Sequence, residues 1–194
     1  MIIESTDDSA SETIFSAQDE HWMRYALELA AKGEAIGEVP VGAVIVQGDV
    51  IIGEGFNQPI SSHDPTAHAE IIALRKAAAH IQNYRLIGST IYVTLEPCTM
   101  CVGALVHARI ARLVFGATEG KAGAVVSKSR LLESDHFNHR VEYAGGLMAL
   151  QCQHQLSHFF AMRREQKRRE KQEKGAESKD GDDKAVSDGK DTAI

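Results

Sequence analysis

Apolar residues recur at helical spacing in AQDEHWMRYALELAAKG, where Trp22, Ala26, Leu29 and Ala30 share one face between Ser16 and Gly33. The period then shortens. VGAVIVQGDVIIGEGFN reads as two strands, Val41–Val46 and Val50–Phe56, around a Gly48-Asp49 turn. NQPISSHDP is rich in Asn, Pro and Ser and predicts a loop. Helical spacing returns in AHAEIIALRKAAAH, with Asp64-Pro65 or Thr66 as its opening. STIYVTLE predicts a buried strand, and PCTMCVGALVHAR a helix with Pro97 in the first turn, where proline is tolerated. RLVFGA is a fourth strand, residues 118–140 are irregular, and VEYAGG is a short fifth strand. From Leu147 a long helix turns from amphipathic to basic.

Helices alternating with strands predict an α/β fold: a three-layer α/β/α sandwich around a five-stranded mixed sheet, mostly parallel and begun by an antiparallel hairpin. The four prolines (40, 59, 65, 97) all fall at element borders. The chain has 194 residues, enough for one well-packed domain, expected over 16–174. Residues 1–15 are expected to be a disordered acidic extension and 175–194 a disordered polar tail, since neither has the apolar content to order itself. The net charge of −6 lives in those ends, while Arg163–Lys174 carries +4. Overall acidity therefore says little about partners.

Cysteines stand only at 98, 101 and 152. So sparse and odd a set is no secreted disulfide framework, and metal or redox chemistry in a reducing cytoplasm fits better. MIIESTDDSASE has no basic, apolar leader pattern, and no apolar run reaches membrane-spanning length, so neither signal peptide nor membrane is expected.

The chemistry concentrates in TAHAE and LEPCTMC. Cys98 and Cys101 are three apart at a helix start, so both thiolates can grip one Zn²⁺. His68 adds a neutral imidazole. Three protein ligands leave the fourth tetrahedral position to water, the pattern of a catalytic zinc site. Glu70, two residues after His68, falls roughly 200° round a helix and is read as reaching the water, not the metal. Alone, Cys-x-x-Cys serves equally as a structural half-site or redox pair, and His-x-Glu alone means nothing. Cys152 sits between apolar positions and reads as core, His63 and His107 as loop or surface.

His-x-Glu followed by Pro-Cys-x-x-Cys resembles the signature of the zinc-dependent cytidine/deoxycytidylate deaminase superfamily, to which tRNA adenosine deaminases belong. EVPVGAVIV, GEGFNQPI, HDPTAHAEIIALR, NYRLIGSTIYVTLEPCTMC, HARIARLVFGA, NHRVE and FFAMRR together resemble, within it, the bacterial tRNA-specific adenosine deaminases over about residues 18–170. The resemblance implies hydrolytic deamination of adenosine to inosine at the wobble position of a tRNA anticodon loop, one zinc per subunit, and a homodimer whose two subunits both meet the anticodon stem-loop. It assigns Asn57 to the purine ring, Val39, Phe56 and Leu95 to the apolar wall around a flipped base, and Glu119 to the ribose. Phe159 or Phe160, with Arg163 and Arg164, fall at the RNA-facing end of the last helix. Core phenylalanines and a solvated basic face are the plain alternatives there.

Overall fold

Ser16 starts the first helix, α1 (Ala17–Ala35), through a reciprocal cap: its hydroxyl accepts from Asp19 N at 3.1 Å, and the Asp19 carboxylate accepts from Ser16 N at 3.0 Å. The same carboxylate takes the Arg112 guanidinium at 2.6 Å and the Tyr92 hydroxyl at 2.8 Å, fastening the helix start to the sheet. The computed structural model describes residues 15–184. The acidic extension up to residue 14, and residues 185–194 of the polar tail, lie outside the described residues.

The five strands are β1 (Gly42–Gln47), β2 (Val50–Phe56), β3 (Thr90–Leu95), β4 (Arg112–Ala117) and β5 (Glu142–Gly145), in the order β2-β1-β3-β4-β5. β1 runs antiparallel to both β2 and β3, while β3–β4 and β4–β5 are parallel. The sheet is therefore mixed in equal parts and not mostly parallel. A two-residue turn forces the first pair antiparallel, whereas the helix after β3 lets β4 return beside it in the same direction.

Alternation along the strands gives the three layers. Val44, Val46, Tyr92 and Val114 pack on α1 and on Cys152 of α5 (Ala149–Lys184), so Cys152 is core. Ala43, Ile45, Ile91, Val93 and Leu113 pack on α3 (Ala69–Ile81) and α4 (Thr99–His107). Gly55 decides how closely α3 lies: a Cβ there would come within 2.5 Å of Ala69 O, so only glycine lets the first turn of α3 rest on the sheet.

Two segments read as irregular contain short helices, one turn at Pro59–Ser62 (α2) and a 3-10 turn at Leu131–Glu133. α5 extends to Lys184. Residues 175–184 hold no proline, and their glycines 175 and 181 cost helix only about 1 kcal/mol each. Among the described residues, no helix is long and apolar enough to cross a membrane.

Candidate metal centre and substrate pocket

His68 and Cys98 are not in the first turns of their helices. They are the N-cap residues of α3 and α4, with extended backbones (φ −72°, ψ 154° and φ −78°, ψ 173°), and Pro97 stands just outside α4. An N-cap side chain ordinarily accepts from the first turn. Neither His68 nor Cys98 does so, and both side chains turn to a common point. For α3 the missing acceptor comes from outside: Asn57 Oδ1 takes Ala69 N–H at 2.9 Å.

Cys98 Sγ and Cys101 Sγ lie 3.7 Å apart, and His68 Nδ1 is 3.8 Å from the first and 3.6 Å from the second. A tetrahedral Zn²⁺ with Zn–S of about 2.3 Å and Zn–N of about 2.0–2.1 Å has S–S edges of about 3.8 Å and S–N edges of about 3.6 Å. The triangle fits zinc, with one corner of the tetrahedron left to a fourth ligand. Among the described residues it is the one group of three or more such side chains whose ligand atoms converge in this way. The Cys101 thiol and the His68 ring hold Cys98 as thiolate, drawing it down to about 3, while that thiolate and burial push the Cys101 thiol well up.

Glu70 enters at the second position of α3, only 4% exposed. Because His68 is outside the helix, the 200° separation does not apply, and both residues line one pocket. Burial pushes the Glu70 carboxyl up; its own N–H, His68 and Cys101 offset this in part.

That pocket has a volume of about 260 Å³. Val39, Asn57, Leu95 and Glu119 line it together with His68, Glu70 and Cys98. Phe56 does not. With Gly55 turned toward α3, strand alternation turns Phe56 the other way, onto Gly33 of α1 and the core on that side. The Glu119 carboxylate accepts from Lys121 N at 2.8 Å. A second groove of about 280 Å³ shares Val39 and is lined by Phe159, Phe160, Arg163 and Arg164. Phe159 is buried, whereas Phe160 is 46% exposed. His63 and His107 are exposed at the ends of α2 and α4.

Residues 16–117 match the model of the cytidine and deoxycytidylate deaminase zinc-binding region. The chain belongs to that deaminase family. A tRNA-specific adenosine deaminase of Haemophilus influenzae is 58% identical over 154 residues, which cover 79% of this chain and 89% of that protein. Another, of Bacillus subtilis, is 40% identical over 151 residues, or 78% and 94% of the two chains. A solved structure from work on A-to-I editing by tRNA:A34 deaminases at the wobble position superposes with a TM-score of 0.68 at 40% identity, covering 70% of this chain and 99% of that one. Zinc is thus the metal that this deaminase domain binds, and His68, Cys98 and Cys101 form a site able to hold it.

Two further acids shape this deaminase site and do not stand out in the sequence. Glu38, 1% exposed, accepts Ser61 N–H at 2.7 Å and fixes α2 beside the pocket mouth. Glu96, 3% exposed, accepts the amides of Glu119, Val125, Val126 and Ser127. Both are carboxylates beside a proline-bounded apolar run, an unusual place for a charge unless it is partnered. That placement is the signal the sequence does offer.

Proposed function

We propose that the chain is a zinc-dependent tRNA adenosine deaminase, converting the wobble adenosine of an anticodon loop to inosine. The carrying observation is the pairing of two elements in one pocket: a ligand triangle with an open corner, and a buried carboxylate outside that triangle. A structural zinc site has no use for the second. The 58% identical relative supports the substrate.

Zinc, when bound, supplies a Lewis acid that makes water acidic enough to attack at neutral pH. Glu70 takes the proton of the attacking water and delivers it to purine N1 as C6 is attacked. It then takes the second proton, from the new C6 hydroxyl, and passes it to the exocyclic amine; the C6–N bond breaks, the C6 oxygen becomes the carbonyl, and ammonia leaves. One carboxylate acts as base and then as acid, and a carboxyl whose affinity for protons is raised by burial suits both tasks. The Asn57 oxygen accepts from Ala69 N, which fixes the amide and leaves its NH₂ free to donate to a ring nitrogen of the purine. Val39 and Leu95 flank the base, and Glu119 stands where a ribose would follow. Phe160 offers a face for a neighbouring base, and Arg163 and Arg164 offer charge for its phosphates. A loop suits this site because its bases splay out at little unstacking cost. The reading includes a cytoplasmic homodimer in which the anticodon arm meets both subunits.

The test is nucleoside analysis of an anticodon stem-loop after incubation with the zinc-loaded protein. Inosine at the wobble position is expected, and Glu70→Gln should keep one zinc per chain while losing about 10²–10⁴-fold in rate. Equal deamination of free purine bases or mononucleotides would point to a small-molecule deaminase, and loss of zinc in Glu70→Gln would make Glu70 a ligand.

A further inference from the structure

The loop after β4 forms neither helix nor strand over residues 119–127, yet Gly123, Ala124 and Val125 are buried and Glu119 and Val126 are partly so. Buried N–H groups need acceptors. One side chain supplies them for four of the loop's amides. Glu96 Oε1 accepts from Val125 N at 3.0 Å, Val126 N at 2.8 Å and Ser127 N at 2.9 Å, while Oε2 accepts from Glu119 N at 2.9 Å and from the Ser127 hydroxyl. The loop can close on the carboxylate because residue 123 is glycine: a Cβ there would collide with the Glu96 carboxyl and come within 2.6 Å of Glu119 O.

The same carboxylate is tied to the metal centre through the chain. Glu96 N donates to Ala117 O at 2.8 Å, Ala124 N donates to Pro97 O at 2.9 Å, and Cys98 bridges Gly123 in antiparallel fashion. The loop in turn brings Glu119 and Ala122 to the pocket that Asn57 also lines. We propose that Glu96 is a positioning residue that sets the Glu119–Ala122 wall of the pocket and locks it to Cys98, so that wall and metal ligand move as one body. Glu96 also borders that pocket, but both its carboxylate oxygens are engaged by the loop. This rests on the proposed function for the identity of the substrate but not for the geometry.

Counting donors makes the inference specific. In Glu96→Gln the amide oxygen can still take the three N–H groups of residues 125–127, and the Ser127 hydroxyl can turn to accept from the new NH₂. Glu119 N alone is then left facing a donor. The variant should keep its fold and its zinc but release the wall at Glu119. Gly123→Ala should release it by wedging, with the carboxylate intact.

Both variants, zinc-loaded and full length, are compared with wild type by amide hydrogen exchange and by kinetics on an anticodon stem-loop. Expected are faster exchange over Glu119–Ala122 than over Val125–Ser127, one zinc per chain, and KM raised roughly tenfold with kcat within about threefold, the scale of one orphaned buried N–H. Unchanged exchange and KM would overturn the inference. So would parallel losses of zinc, melting temperature and kcat, which would make Glu96 a purely structural group. Exchange needs no RNA, so a wild-type protein inactive on the stem-loop would refute the proposed substrate while the exchange data still decide this inference.

Discussion

Replacing Arg163 and Arg164 together by alanine tests whether the second groove meets RNA. Both line it, and neither engages a carboxylate among the described residues; Arg163 reaches only the Gln166 side chain, at 3.4 Å. The next two arginines differ. Arg168 and Arg169 both pair with Glu165, at 2.9 and 3.1 Å, so their charge is partly answered within the helix. If Arg163 and Arg164 each neutralise one phosphate, log K against log salt becomes shallower by about 0.7 per contact for single strands and 0.9 for duplex, hence by about 1.4–1.8 for the pair. Between about 50 and 200 mM salt, wild type should lose about 7- to 12-fold more affinity than the double variant. The assay is anisotropy of a labelled anticodon stem-loop across salt, in a Glu70→Gln background that holds substrate without turnover. Arg168→Ala with Arg169→Ala should change the slope by less than half as much. Parallel lines for wild type and Arg163→Ala/Arg164→Ala would refute the reasoning and leave these residues as a solvated basic face.

Elemental analysis should give about one zinc per chain, lost in Cys98→Ala and Cys101→Ala together with melting temperature, because metal binding is coupled to folding; full occupancy in either would remove it from the ligand set. Asp19→Asn should cost about 3 kcal/mol at neutral pH by stranding Arg112 and breaking the cap of α1, at the lower end of what a broken buried pair costs since Arg112 is a third exposed. Arg112, the Ser16 amide and the Tyr92 hydroxyl overcome the burial of Asp19 and hold its folded pKa well below the unfolded value of about 3.9. Its contribution is therefore complete above that unfolded value and disappears as pH falls through the folded one. Denaturation at neutral pH and in strong acid, below the unfolded value, should show the gap between wild type and variant narrowing, and a constant gap would contradict this. Removing residues 1–14 and 185–194 should leave stem-loop deamination within about twofold, as expected from their acid-rich, polar composition; a large fall would show that one of them docks.

The kinds of element and their order are legible because strands and helices of this chain keep clean periods, and the ligand set is legible because thiols and imidazole at that spacing have few other uses. The start of α3 is not. Asp64 and Thr66 look like caps, but Asp64 Oδ1 accepts from Thr66 N at 2.8 Å and from the Thr66 hydroxyl at 2.6 Å, closing a turn on itself before the helix begins. The placement of Phe56 fails on parity: one residue's difference along a strand exchanges the pocket for the opposite layer. Glu96 and Glu38 escape notice for another reason. Their partners are backbone amides 23 to 31 residues away, which no side-chain pattern announces.

The two vacated caps couple properties that other enzymes can tune separately. His68 and Cys98 begin the helices that carry Glu70 and Cys101, so an ion held between them also pins the first turns of α3 and α4. A change that weakens the grip on the metal would at the same time loosen the proton carrier in the adjoining first turn. Metal retention and the alignment of Glu70 therefore share one structural support, and selection on either trait acts on both.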